Sequence, residues 1–298
     1  MTSVIAGSLA AMKRVLRRVP LLLSAKRAVS RTAARWVRGE ATTLNLVHAF
    51  PQFTPNSAGD YELLARLTVQ SINETLPELQ ALAAATGAGR LQRLPMQSVP
   101  VSARDLEAAG ELKQCLDRYG SDKANHHDYH LLYGRILADK ARITAICEVG
   151  LGTNNVDVPS NMGVTGTPGA SLRGFRDYLP TAKIYGADVD TRILFEEDRI
   201  KTFHVDQTDA GSFVTLGESV PGELDMFIDD GLHSPSANIT TLRFALTKIK
   251  IGGWVVVEDI GEEAFPVWEV AAALLPASHE TFLIKCEKEW VFAVRRVS

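Results

Sequence analysis

Short apolar runs rich in β-branched residues recur along the second half of the chain, and amphipathic stretches of helical length separate them. The apolar runs predict strands at residues 143–149, 183–187, 201–205, 224–229 and 253–258. The intervening stretches predict helices near residues 169–178, 208–218, 236–248 and 264–275. Strands that alternate with helices are typical of a parallel, doubly wound α/β sheet.

The last two apolar runs follow a different pattern. Residues 280–286 and 290–296 are separated by only three residues, which is too short for the crossover that parallel strands need. They therefore predict an antiparallel hairpin. The expected fold is a Rossmann-like α/β sheet of five parallel strands followed by this C-terminal antiparallel hairpin.

The first half of the chain predicts helices. One is expected from the capping residue Asp60 to about residue 85, ahead of Gly87 and Gly89. Two more are expected from about Arg104 to Leu116 and from Tyr129 to Ala138. With these helices, the chain divides into three predicted regions: a basic amphipathic segment over 1–40, a helical N-terminal region over 41–118 and the α/β domain over 119–298.

Charge is concentrated in the first of these regions. Residues 1–40 contain nine Lys and Arg residues against Glu40 alone, a net of +8 that leaves −11 for the rest of a chain whose total is −3. Apolar residues recur at helical spacing between the basic ones. Three interpretations stay open: a helix that packs on its own domain or a partner subunit, a helix on an anionic membrane surface, or an organellar targeting peptide.

The remaining composition limits the function classes. A net charge of −3 argues against general affinity for nucleic acid. Three cysteines without a close pair suit a reducing compartment, so we expect a cytoplasmic protein, with peripheral membrane contact through residues 1–40 as an open alternative. The sequence also leaves open whether the chain forms a homo-oligomer.

Paired acids end two of the predicted strands. Asp229 and Asp230 follow one apolar run, Glu258 and Asp259 end the next, and His233 comes three residues after the first pair. The carboxyl ends of neighbouring parallel strands lie side by side on the rim where open α/β sheets bind ligands. Two acidic pairs and a histidine there favour a hard-metal site beside a proton acceptor over the capping of the next helix.

Glycines and acids also end the earlier strands. Glu148, Gly150 and Gly152 close the first strand, Asp188 closes the second and Asp206 follows the third. Taken alone, the two glycines after a strand are more often a tight turn than a cofactor site, and Asp188 and Asp206 could simply cap the segments that follow them. A nicotinamide-cofactor site would require the fingerprint Gly-x-Gly-x-x-Gly. It is disfavoured because Asn155 occupies the position of the third glycine.

Taken in order, these motifs resemble those of class I S-adenosylmethionine-dependent methyltransferases. The resemblance narrows to metal-dependent O-methyltransferases that act on sugar hydroxyls in macrolide antibiotics, and it covers roughly residues 115–260. The motifs that carry it are YGSDK at 119–123, GASLRGFRDYLP at 169–180, and then IYGADVD, IDDGLH and VVVEDI. On this resemblance, residues 119–298 would be the methyltransferase domain.

The resemblance implies a set of cofactor-binding residues for S-adenosyl-L-methionine. Asp188 would accept hydrogen bonds from the ribose hydroxyls, and Asp206 would lie near the adenine edge. An N-cap turn is an equally good interpretation of the SDK motif. The full implied set is Ser121, Lys123, Glu148, Gly150, Gly152, Ser171, Asp188 and Asp206.

It also implies the chemistry of the acidic strand ends. Asp230, Glu258 and Asp259 would bind Mg²⁺ or Mn²⁺, and His233 would be the general base for a hydroxyl of a glycoside or sugar-like acceptor. Asp229 would be an outer acceptor or would replace Asp230 as ligand. A phenolic or lipid-linked hydroxyl acceptor, or a non-catalytic Rossmann-like binding module, are the alternatives.

Two further segments carry weaker signals. Residues 153–168 are rich in Gly, Pro, Asn and Thr and are longer than the family turn, so they predict either a lid over the site or a surface excursion. His126, His127 and His130 are expected at surface or satisfied core positions, with an acceptor pocket as the alternative.

Overall fold

A computed structural model of the chain describes residues 45–56, 60–85 and 91–298. It divides the chain into two compact units, Met1–Glu78 and Leu79–Ser298. The predictions for the basic segment 1–40 lie outside the described residues. In the first unit, residues 45–49 are helical, and Asp60 caps the next helix by accepting a hydrogen bond from the Leu63 amide at 2.6 Å.

The described helices and strands alternate along most of the chain. In chain order they are α1 (Tyr61–Ala85), β1 (Gln92–Pro95), α2 (Ala103–Arg118), α3 (Asp122–Asn125), α4 (Tyr129–Ile136), β2 (Ala145–Val149), α5 (Ala170–Tyr178), β3 (Lys183–Asp188), β4 (Glu196–Glu197), β5 (Ile200–His204), α6 (Phe213–Ser219), β6 (Leu224–Asp229), α7 (Pro235–Leu246), β7 (Ile249–Ile260), α8 (Phe265–Leu274), β8 (His279–Lys285) and β9 (Trp290–Arg296).

The described strands form one sheet in the order β1-β8-β9-β7-β6-β2-β3-β5-β4. The five central strands β7, β6, β2, β3 and β5 run parallel, and β8 and β9 form the antiparallel hairpin. The predicted fold class is therefore confirmed. Strands β3 and β6 lie on opposite sides of β2, which makes the gap between β2 and β6 the topological switch point where ligands bind in such sheets.

Two short edge strands were not predicted. Strand β1 pairs in parallel with β8, and the two-residue strand β4 pairs in antiparallel fashion with β5. In β1 only Leu94 is even partly buried, so its sequence has neither an apolar run nor a two-residue alternation. Pairing with a strand almost two hundred residues away cannot be detected from so short a segment.

Helices cover both faces of the sheet. On one face α2, α4 and α5 contribute buried residues such as Leu112, Tyr133 and Phe175. On the other face α6, α7 and α8 contribute residues such as Leu216 and Trp268. Every residue of β2 and β6 is buried, as expected for central parallel strands. Their carboxyl ends are therefore fixed by packing, and the loops that follow start from rigid positions.

Candidate active site

The carboxyl ends of the central strands open into one cavity of about 540 Å³, a size typical of small-ligand sites. All but one of the site residues predicted from sequence line it: Ser121, Lys123, Glu148, Gly150, Gly152, Ser171, Asp188, Asp206, Asp230, His233 and Asp259. The exception is Glu258, whose buried carboxylate accepts hydrogen bonds from Lys123 and Tyr133.

Gly150 lets the two strand ends approach each other. Its φ of +92° lies in the left-handed region, and a Cβ there would be 1.9 Å from the carbonyl oxygen of Asp230. At Gly152 the requirement comes mainly from its φ of +72°, because a Cβ there would meet only the flexible side chain of Met162. Gly150 therefore sets the close approach of the two strand ends, and both glycines supply left-handed backbone at the cleft.

Gly150→Ala is expected to destabilise the protein and to displace Asp230, because the new methyl group overlaps a backbone carbonyl. Gly252→Ala is the matched control: it has a φ of +85° and nothing within 4 Å of a Cβ, so it adds only the left-handed conformational cost of roughly 1–2 kcal/mol. Chemical denaturation of both variants measures the difference. Equal losses would contradict the interpretation that backbone contact requires Gly150.

The two acids expected on the cofactor side already have backbone partners. Asp188 accepts hydrogen bonds from the amides of Leu151 at 2.7 Å and Asp190 at 2.8 Å, and burial raises its pKa against those hydrogen bonds. Asp206 accepts from the amide of Thr208 at 2.8 Å. Both residues border the cavity. Asp188 ends β3 and Asp206 follows β5 by two residues, and each stabilises a turn at the edge of the space where a ligand would bind.

Lys123 links the two sides of the cleft. Its side chain is 3% exposed, and its ammonium lies 2.5 Å from Asp230 Oδ2, 2.5 Å from Glu258 Oε2 and 3.2 Å from Glu148 Oε1. These acids come from the ends of three adjacent strands, β6, β7 and β2. Ser121 occupies the N-cap position of α3 just before it, so the SDK motif is both a helix start and part of the cavity wall.

The pKa values of this cluster follow from burial and charge. Burial alone favours neutral Lys123, but the carboxylates of Asp230, Glu258 and Glu148 reverse this and raise its pKa well above the usual value. Burial and the neighbouring Asp230 charge raise the pKa of Glu258. The pKa of Glu148 is raised by burial against the opposing effect of Lys123. Lys123 is therefore a permanent cation among acids that are costly to ionise.

Two tyrosines that sequence reasoning missed complete the hydrogen bonds of the acids. Tyr129 donates to Asp259 Oδ1 and Tyr133 donates to Glu258 Oε1. Both rings are buried, and they lie one helical turn apart on α4. Their four-residue spacing was the available signal, because it puts both hydroxyls on one helix face, but nothing in the sequence indicates that this face meets the strand ends.

His233 lies between two carboxylates. Its Nε2 is 3.8 Å from Asp230 Oδ1 and 3.7 Å from Asp259 Oδ2, and the side chain is 30% exposed to the cavity. His233 and Asp259 both have left-handed backbone conformations, with φ values of +53° and +57°, which are uncommon for residues other than glycine. Such strain is typical of functional sites. These three side chains could also hold a metal ion.

Asp229 faces the opposite side of the sheet from Asp230, as expected for adjacent strand residues. It is fully buried, and it accepts hydrogen bonds from Gln207 Nε2 at 2.6 Å and Asn238 Nδ2 at 3.0 Å. These partners give both carboxylate oxygens a structural role. Of the two acids, Asp230 is therefore the one that is available to the cavity.

The loop over residues 153–168 closes one side of the cavity. It contains no helix or strand, and Val158, Ser160 and Met162 line the cavity. Its base is fixed to Asp190, which accepts hydrogen bonds from Thr153 Oγ1 at 2.6 Å and Asn155 Nδ2 at 2.7 Å. The loop thus borders the site, as a lid would.

Among the described residues, no helix is both long enough and apolar enough to cross a membrane.

Known proteins resemble this chain over part of its length, although no protein-family profile matches it. One relative is the 8-demethyl-8-alpha-L-rhamnosyl tetracenomycin-C 2'-O-methyltransferase of Streptomyces olivaceus, 30% identical over 155 residues, which are 52% of this chain and 39% of that protein. Another is the demethylmacrocin O-methyltransferase of Streptomyces fradiae, 33% identical over 98 residues, or 33% of this chain and 25% of that one. The matches thus span less than half the length of these relatives.

A solved structure agrees with the fold. The MycE methyltransferase of the mycinamycin biosynthetic pathway, in complex with Mg and SAH, superposes with a TM-score of 0.50 and 20% identity over 63% of this chain and 53% of that one. As the sequence motifs predicted, the chain is similar to sugar O-methyltransferases over part of its length, and it shares the Rossmann-like fold of the MycE methyltransferase.

Proposed function

We propose that the protein transfers a methyl group from S-adenosylmethionine to a hydroxyl of a sugar or glycoside. The observation that carries this proposal is the single cavity that combines Asp188 and the glycine turn with Asp230, His233 and Asp259. The first group suits a nucleoside-containing cofactor, and the second suits the deprotonation of a weakly acidic hydroxyl. The sugar O-methyltransferases among the relatives support this choice of acceptor.

On the cofactor side, Asp188 would bind the ribose and Asp206 would lie beside the adenine. S-adenosylmethionine would supply an electrophilic methyl group on sulfur. The partial exposure of Asp206 leaves its second oxygen free for a ligand, since Thr208 contacts only Oδ1. Ser121 and Glu148, on the cavity wall, would bind the methionine end together with Lys123.

On the acceptor side, His233 would be the general base. Its Nε2 would take the proton from the acceptor hydroxyl while the hydroxyl oxygen bonds to the methyl carbon and the sulfur–carbon bond breaks. Asp230 and Asp259 flank the ring at 3.8 and 3.7 Å, so they would stabilise the imidazolium that forms. His233 is exposed to the cavity, whereas both tyrosines are buried and hold strongly raised pKa values, so neither competes as base.

Two of the three predicted metal ligands, Asp230 and Asp259, are placed to hold a hard divalent cation. Asp230 and Asp259 present oxygens toward the cavity and lie within ligand distance of each other, whereas Glu258 is engaged by Lys123 and Tyr133. Asp230 and Asp259 would therefore hold Mg²⁺ directly, and Glu258 would join only if Lys123 moves away. A bound Mg²⁺ would lower the cost of removing the hydroxyl proton.

The proposal predicts metal-dependent methyl transfer. The full chain, supplied with S-adenosylmethionine and a panel of nucleotide sugars, glycolipids and glycosylated small molecules, should methylate a sugar hydroxyl, and EDTA should lower turnover at least about tenfold until Mg²⁺ is restored. Isothermal titration calorimetry measures cofactor binding separately. The absence of binding at millimolar cofactor would refute methyl transfer and favour a non-catalytic binding module. Turnover that is unchanged by EDTA would refute only the requirement for a metal ion, and the methyl-transfer proposal would stand.

A phenolic or lipid-linked hydroxyl as the only methylated acceptor would keep the reaction and change the substrate class.

A further inference from the structure

A second group of metal-binding side chains adjoins the site but shares only Asp259 with it. His127 Nδ1 lies 3.7 Å from Asp259 Oδ1 and 3.6 Å from Glu289 Oε2, and all three ligand atoms lie within 4.8 Å of one another. His127 belongs to the loop between α3 and α4, and Glu289 to the turn between β8 and β9. Neither residue lies at the end of a parallel strand.

Two of these three ligand atoms are buried without a hydrogen-bond partner. His127 Nδ1 and Glu289 Oε2 are inaccessible to solvent and make no hydrogen bond among the described residues. Buried polar atoms are nearly always satisfied, and an orphaned pair that faces a common point needs an explanation. In addition, two carboxylates, Asp259 and Glu289, converge there, and a cation between them would relieve the repulsion of their charged forms.

The surrounding structure fixes the His127 ring, the Asp259 carboxylate and the backbone that carries Glu289. The His127 ring stacks on Tyr129, with centroids 5.0 Å apart and planes inclined by 21°, while the Tyr129 hydroxyl donates to Asp259. A hydrogen bond from the Cys286 amide to the Glu289 carbonyl at 2.9 Å closes the turn that carries Glu289. A stacked ring and a closed turn hold ligands in place before an ion arrives, as outer contacts do in established metal sites.

The spacing and chemistry of the atoms point to a class of ion. Two ligands that bind one ion at about 2.1 Å, at a tetrahedral angle, are roughly 3.4 Å apart, close to the 3.6 and 3.7 Å between His127 and the two carboxylates. An imidazole nitrogen with two carboxylates suits Mn²⁺ to Zn²⁺ better than Mg²⁺, which prefers oxygen ligands.

We propose that His127, Asp259 and Glu289 form a second cation site, specific for a divalent transition-metal ion, and that Asp259 bridges it to the site of Asp230 and His233. The two oxygens of Asp259 face different partners: Oδ1 faces His127, and Oδ2 faces His233. A cation there would fix the bridging carboxylate and tie the C-terminal hairpin to the loop before α4.

The test uses Co²⁺ alone, without S-adenosylmethionine or acceptor, so that its result does not depend on methyl transfer. Untagged, chelator-treated full-length protein is titrated by calorimetry, and the visible absorption of bound Co²⁺ is recorded. We expect two Co²⁺ per chain in the wild type, and one each in His127→Gln, Glu289→Gln and Asp230→Asn. Mg²⁺ should bind with a stoichiometry of one.

Matched controls come from neighbouring exposed residues of the same types. His126→Gln and Glu287→Gln remove an exposed imidazole and an exposed carboxylate beside the site, and both variants should keep two Co²⁺. A wild-type stoichiometry of one that His127→Gln and Glu289→Gln both leave unchanged would overturn the proposal, since the ion would then occupy the site of Asp230 and His233. A single ion that both variants lose would support the second site and count against the first. A stoichiometry of two that both His127→Gln and Glu289→Gln retain would also overturn it. Thermal melts of each variant exclude misfolding as the cause of a lost ion.

Discussion

Lys123→Met is expected to lower the free energy of unfolding by about 3–5 kcal/mol at neutral pH, because it leaves buried carboxylates without a counter-charge. Glu148 and Glu258 are each 1% exposed, and Lys123 is the cation that contacts both among the described residues. Lys113→Met is the control, because its ion pair with Asp117 is 35% exposed on both sides. It should cost roughly 1 kcal/mol or less.

The loss should depend on pH in a defined direction. The folded pKa of Lys123 is raised, so its contribution is complete below the unfolded value of about 10.4 and is lost only as pH rises through the folded value. The folded pKa of Glu258 is also raised. Ionising it therefore costs stability as pH rises above its unfolded value of about 4.3. Without Lys123 that cost increases, so the variant's deficit should be larger at pH 8 than at pH 5.

A double-mutant cycle isolates the interaction. Glu258→Gln removes one of the buried charges, so Lys123→Met combined with Glu258→Gln should cost less than the sum of the single changes. Urea denaturation at both pH values measures each corner of the cycle. Additive losses, or a Lys123→Met loss no larger than that of Lys113→Met, would refute the interpretation that Lys123 neutralises the buried acids.

The sheet was predictable because its signal is local. Strands β2 and β6 are buried along their whole length, so each is a continuous apolar run that burial on both faces requires. Strand β7 begins at Ile249, earlier than predicted, since Gly252 and Gly253 interrupt its apolar pattern. Strand β1 was missed because its pairing depends on β8, far along the chain, and not on its own residues.

The site was predictable where it follows from topology. Once parallel strands are expected, Asp230 and Asp259 must converge at one rim. Which member of an acidic pair faces the cavity is a different question, because Asp229 turns away through Gln207 and Asn238, which belong to other elements. The contacts of Lys123 depend in the same way on the packing of the α3 segment against the strand ends. The spacing of residues along the sequence does not predict tertiary contacts of this kind.

His233→Asn is expected to lower kcat for methyl transfer by about 10²- to 10⁴-fold, the range typical of a lost general base. Asparagine is the informative replacement because it tolerates the left-handed backbone that His233 adopts at a φ of +53°, whereas alanine would add conformational strain. An amide cannot accept the proton at neutral pH. Binding of S-adenosylmethionine should be unchanged, because His233 lies on the acceptor side of the cleft, and calorimetry checks this directly.

The same variant distinguishes a base from a metal ligand, because the three side chains Asp230, His233 and Asp259 could also coordinate an ion. If His233 were a ligand, the variant's apparent Mg²⁺ affinity would fall and saturating Mg²⁺ would restore kcat. If it is the base, kcat stays low at saturating Mg²⁺. His204→Asn, at the exposed last residue of β5, should match the wild type in every measurement. A kcat for His233→Asn within tenfold of the wild type would exclude His233 as the general base. Rescue of kcat by Mg²⁺ would instead make His233 a metal ligand, a role that suits an imidazole poorly when the ion is Mg²⁺.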